Sequence, residues 1–179
     1  MTISPDPRDR SPPRSVRVSL LSDDALAPRP AEVAILRGMS EAHRNASLIR
    51  EFHDAQDRFY AGGDQEHVRA MLGEDVAWHV PGRSAIAGDY RGRDEVLRYF
   101  VARRELAQET FRIVVRGVLA DDERAVIFAG GRVQRDGQSS AWETVGVFRI
   151  ANDKIAECWV LPYDQYLFDE IWSPALGSR

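Results

Sequence analysis

The sequence contains one cysteine, Cys158, and one lysine, Lys154. A single cysteine excludes an intrachain disulfide and any zinc site built on cysteine clusters. The four histidines, His43, His53, His67 and His79, are dispersed, with no His-x-x-x-His spacing and no carboxylate cluster beside them. No metal is expected from that pattern. There is no phosphate loop, no Gly-x-Ser-x-Gly and no nucleotide-binding glycine pattern, so no cofactor is expected either. Apolar runs fall far short of a membrane span, and no secretory h-region occurs. The formal charge of −4 gives no electrostatic case for nucleic acid or anionic lipid. The expectation is a cytoplasmic protein with neither a nucleic-acid nor a membrane partner.

What is present is a globular mixture, 44% hydrophobic and 29% charged, long enough for one domain and a tail. Residues 1–38 differ from the rest. Pro5, Pro7, Pro12, Pro13, Pro28 and Pro30 stand among charges there, and such a composition buries too little apolar surface to offset chain entropy. This stretch reads as a disordered tail, with "AEVAILRG" as a helical turn ended by Gly38. Met39 opens "MSEAHRNASLIREF", a plausible alternative start of the protein. Residues 39–179 read as the folded domain.

Within it, Leu48, Phe52, Ala55 and Phe59 recur at helical spacing until Gly62-Gly63. Asp64 then caps a short second helix ending at Gly73. "DVAWHV" is a strand, and "PGRSAIAGDYRG" a glycine-punctuated loop. A third helix runs from Arg93 to Ala107, with Asp94 and Glu95 in its first turn. Everything after it reads as strand. The turns fall at Asp121–Glu123, at Asp136-Gly137 and at Ala151–Asp153 until Pro162 ends the run. Helices followed by a meander predict an α+β fold: a curved, cone-shaped antiparallel sheet packed against three N-terminal helices.

Strand parity places Trp142, Thr144, Gly146, Phe148 and Ile150 on one face, with Ala129, Gly131 and Val133 on the neighbouring strand. Small residues there leave room and aromatic ones make walls, which predicts a roomy apolar cavity. Trp78 and Val80 share a face of the first strand. Val145, Val147, Val114 and Ile113 are assigned to the outer face, where they predict a homodimer.

Three stretches, "FYAGGD", "LGEDVAWHVPGRSAIAGDYRGRDEVLRYF" and "KIAECWVLPYD", resemble SnoaL-like proteins of the nuclear transport factor 2-like superfamily. The resemblance covers about residues 42–172 and implies a cone whose rim is the loop after Val80. It also implies a small-molecule site, in a superfamily that includes isomerases, dehydratases, epoxide hydrolases and polyketide cyclases besides non-catalytic binding modules. The steroid isomerases of that group carry a base, a tyrosine and a second aspartate at positions that fall here on Val80, Gln56 and Gly146, so their standard mechanism is not expected.

The candidate catalytic residues are therefore Asp164 and Tyr163, in a Pro-x-Asp-x-Tyr pattern like the ending of several SnoaL-like proteins, together with His79 at the strand end. A helix N-cap is the competing role for Asp164, and His53 reads as a satisfied boundary residue. The candidate substrate-binding residues are Gln56, Tyr60, Trp78, Val80, Gly131, Trp142, Thr144 and Phe148. The expected partner is a small apolar organic ligand, and the expected function is acid–base chemistry on it. The alternative is a non-catalytic binding or dimerisation module.

Overall fold

The computed structural model describes residues 30–173. The first helix, α1 (Pro30–Tyr60), is longer than its amphipathic stretch alone predicts. Pro30 occupies its first position, where a missing N–H is harmless. Gly38 does not break it, since a mid-helix glycine costs only about 1 kcal/mol. Residues 30–38 thus belong to the helix rather than to the predicted tail. The remainder of that tail, residues 1–29, lies outside the described residues. The helix ends where Gly62 takes φ +99 and the Gly63 N–H donates to the Arg58 carbonyl at 3.0 Å, a glycine C-terminal closure.

After α2 (Glu66–Met71) the chain enters β1 (Leu72–Val80). Part of the predicted loop is itself ordered as a short strand, β2 (Gly88–Arg91), paired antiparallel with the end of β1. Then follow α3 (Arg93–Leu106), β3 (Arg112–Ala120), β4 (Arg124–Arg135), β5 (Gln138–Ala151), β6 (Lys154–Pro162) and a terminal helix, α4 (Gln165–Ile171). The β4–β5 turn places Asp136 and Gly137 at φ 52 and 78, as a two-residue hairpin requires.

The strands form one curved, open sheet in the order β2-β1-β6-β5-β4-β3. It is mixed rather than wholly antiparallel, because β6 returns beside β1 in the same direction. The ladder slips one residue between Val115 and Gly117 and again between Arg149 and Ile150, and such bulges increase local bending. The concave face closes over α1, which crosses β3 and β4, and over α3, which crosses β1 and β2. The core between these layers is aromatic. Phe52, Phe100, Trp78 and Phe148 pack with ring centroids 5.1 to 6.3 Å apart.

The loop after β1 is tied down from the C-terminus. Asp169 of α4 accepts from the Arg83 and Ser84 N–H groups at 3.0 and 3.3 Å, and Gln165 donates to the Pro81 carbonyl. Gly82, at φ +104, has its α-carbon against that carboxylate, where a Cβ would overlap Asp169 and Gln165. The Pro-Gly after Trp78 is thus a docking point for α4.

Candidate ligand cavity

A cavity opens between the concave face of β4–β6 and the helices α1 and α3. Its sheet wall is built by parity: Ala129 and Gly131 from β4, and Trp142, Thr144, Gly146 and Phe148 from β5. Ile113 joins this wall, because it pairs with Gly131 and shares its face. Its expected place on the outer surface is therefore corrected.

The glycines do not leave the room their size suggests. A Cβ on Gly131 would overlap the Trp142 ring, and one on Gly146 would lie 2.8 Å from Phe148 Cε2. Each seats an aromatic ring against the sheet. The free space is about 470 Å³ with its mouth included, of which about 50 Å³ admits the centre of a water molecule. The cavity is narrower than the sequence predicts.

The opposite wall carries the polar groups. His53 and Gln56 come from α1, Arg103 from the last turn of α3, and Trp78 and Cys158 from the adjacent strands β1 and β6. His53 Nδ1 lies 2.7 Å from the Ile49 carbonyl. A carbonyl only accepts, so Nδ1 carries the hydrogen and Nε2 is a lone pair with no partner among the described residues. Burial pushes the His53 pKa down to about 4. The Ile49 carbonyl and Asp54 work against that shift, and the positive charge of Arg103 adds to it. The ring is thus neutral near pH 7. Burial likewise raises the Cys158 thiol well above its ordinary value, so it stays protonated.

Tyr60 and Tyr99 stand behind Arg103. Burial pushes Tyr99 up to about 12 and Tyr60 higher still, against the pull of the guanidinium. Among the described residues no group of three or more His, Cys, Asp or Glu is placed to hold a metal ion.

The residues proposed from sequence separate into two places. Gln56, Trp78, Gly131, Trp142, Thr144 and Phe148 line the cavity. Tyr60 is fully buried behind it, its ring 4.5 Å from that of Phe111, and Val80 is buried near the rim. Asp164, Tyr163 and His79 are not brought to the cavity. Asp164 accepts from the Leu167 N–H at 3.0 Å as the N-cap of α4, and Tyr163 is 65% exposed.

His79 follows strand parity to the convex side. It bridges Asp89 at 2.6 Å and Glu157 at 3.0 Å and stacks on Trp159. Partial burial works against its charged form, yet the two carboxylates prevail and hold its pKa above the ordinary value. His53 and Arg103 were missed as site residues. For His53 a signal existed, since it lies one position from the buried Phe52 and three from Gln56. For Arg103 none did, because Arg103 and Arg104 read alike.

The SnoaL-like domain profile matches residues 49–158, most of the folded region, and the chain belongs to that family. It shares 30% identity with Bal32a, from a soil-derived mobile gene cassette. That match has a TM-score of 0.68 and covers 74% of this chain and 98% of the other. A Xanthomonas campestris protein of unknown function with a cystatin-like fold is 24% identical at a TM-score of 0.64, with 72% and 97% covered. TerC, co-crystallised with polyporic acid, is 17% identical at a TM-score of 0.63, with 72% and 97% covered, a likeness of fold. No curated protein matches the chain. Among the described residues no helix is long and apolar enough to cross a membrane.

Proposed function

We propose that the protein is a cofactor-independent enzyme that moves a proton on a small cyclic metabolite held in the cone cavity, as a cyclase, isomerase, dehydratase or hydrolase would. The observation that carries this reading is His53. Its Nε2 has no hydrogen-bond partner among the described residues, on a ring that Nδ1 orients against the Ile49 carbonyl beside an aromatic cavity. An acceptor held in one tautomer is what general-base catalysis requires. Gln56 and Arg103 supply donors for an oxygen that becomes negative as the proton leaves. The surrounding rings exclude water and strengthen those contacts.

The alternative is a non-catalytic binding module. It is favoured by the lack of any carboxylate on the cavity wall and by a His53 pKa of about 4, well below the neutral range in which a base works best. The two readings separate in D2O. Small cyclic ketones, enones and keto acids are incubated with the protein, and deuterium incorporation next to the carbonyl is followed by NMR. The enzyme reading expects catalysed exchange that His53→Gln lowers by about 100-fold or more. Exchange by His53→Gln at the wild-type rate removes His53 from its role, and no exchange on any member leaves the binding module.

A further inference from the structure

Arg103 is 7% exposed, and no described carboxylate forms an ion pair with it. Its guanidinium lies 4.2 Å from the centre of the Phe111 ring and 4.7 Å from that of Trp172, with Tyr60 and Tyr99 at 6.0 Å. Nη1 donates to the Tyr99 oxygen at 3.3 Å, and Nε has no partner. Taking a guanidinium out of water without a counter-charge is strongly unfavourable. Ring faces return part of that cost by attracting the cation, but they accept none of its hydrogen bonds in the plane of the fork.

A second observation points the same way. Gln56 Nε2, on the same cavity, and Trp172 Nε1, whose ring packs on Arg103, are buried with no partner among the described residues. An amide nitrogen, an indole nitrogen and a guanidinium nitrogen can only donate. Buried polar groups are nearly always paired in native proteins. The acceptors already beside this cluster, the His53 Nε2 lone pair and the phenol oxygens of Tyr60 and Tyr99, are neutral, and what it lacks is one bearing negative charge.

The size of the space narrows the choice. Only about 50 Å³ admits the centre of a water molecule, within about 470 Å³ that includes the mouth, which suits an occupant of one ring better than a polycyclic one. Trp78, Phe111, Trp142 and Phe148 offer faces and edges for such a ring. We propose that the cavity selects a planar, one-ring organic anion whose charged oxygen pairs with Arg103 while its ring lies among these aromatic side chains. This rests on reading the cavity as a small-molecule site. It adds the charge, size and polarity of the occupant, and it makes Arg103 the residue that determines specificity. Burial is the main cause of the low His53 pKa, and an anion beside Arg103 offsets the lesser contribution of that positive charge.

The test is calorimetric titration of the full chain at pH 7.5 with benzoate and with benzamide, a neutral probe of the same shape. Wild type is expected to bind benzoate at least about tenfold more tightly than benzamide, since hydrogen bonds to a charged group outweigh neutral ones. Arg103→Met should bring the two within about threefold, with the larger loss falling on benzoate. Should Arg103→Met fail to fold, Arg103→Lys keeps the charge without the planar fork and is expected to show an intermediate preference.

Equal affinities in wild type, no binding of either probe, or an unchanged preference in the Arg103 variant would each overturn the inference. His53→Gln separates this inference from the functional reading. It should keep the benzoate preference even as proton exchange is lost. Exchange that survives in His53→Gln while benzoate selectivity holds refutes the catalytic role of His53 alone.

Discussion

Acidification should weaken this protein through one buried ring before its carboxylates titrate. His53 has an ordinary pKa of 6.5 and a folded-state pKa of about 4, with burial as the principal cause. Above pH 6.5 the ring is neutral in both states and contributes nothing to the pH dependence. As pH falls below 6.5, the unfolded chain binds a proton that the folded chain refuses, so stability declines. The decline is complete once pH passes below about 4. The shift of about 2.5 units corresponds to about 3 kcal/mol in total, of which about 2 kcal/mol is expressed by pH 5. His79 runs the opposite way. Its folded pKa lies above 6.5, so its contribution is present at pH 6.5 and below and is lost as pH rises through the folded value. The two effects are separated by comparing wild type with His53→Gln in urea titrations at steps from pH 8 to pH 5. The variant starts less stable, but the gap between the two curves should narrow by about 2 kcal/mol as pH falls, because the variant lacks this proton linkage. Curves that stay parallel would show that His53 is solvated or charged in the folded protein, and the free Nε2 acceptor would go with it.

Other outcomes follow from the same geometry. Asp164→Ala should lower stability by about 1 kcal/mol through loss of the α4 cap, while Asp164→Asn changes it by a few tenths. Abolished proton exchange in Asp164→Asn with unchanged melting would restore the carboxylate to a catalytic role. Gly131→Ala places a methyl group that overlaps the Trp142 ring. It should cost about 1–3 kcal/mol and reduce benzoate binding, and a variant with wild-type melting and affinity would contradict the cavity wall described above. The convex face exposes Val114, Phe128 and Leu161 beside the partly covered Val145 and Val147. We propose that it forms a homodimer. Light scattering should give twice the chain mass for wild type and the chain mass for Leu161→Glu, and a monomeric wild type at micromolar concentration would refute it.

Local patterns reach far in this chain because they act within a few residues. The period of Leu48, Phe52, Ala55 and Phe59 specifies a buried helical stripe, and Asp136-Gly137 specifies a tight turn. The alternation along "WETVGVFRI" specifies which side chains face inward, and the same alternation turns His79 away from the cavity. The α+β architecture was legible from such features together, and the SnoaL-like family from the resemblance of three stretches to its members. What the interior contains was not. Whether Gly131 and Gly146 leave a space or seat a ring depends on the rotamers of Trp142 and Phe148. The depth of Arg103 depends on how α3 lies against the rings of Phe111 and Trp172, residues distant along the chain. The antiparallel expectation likewise failed at β1 and β6, which are neighbours only once the meander closes. Period and propensity are carried by neighbouring residues and survive in one dimension. Solvation, by contrast, is decided by everything that packs around a group, so the charge state of His53 and the burial of Arg103 exist only in the folded protein.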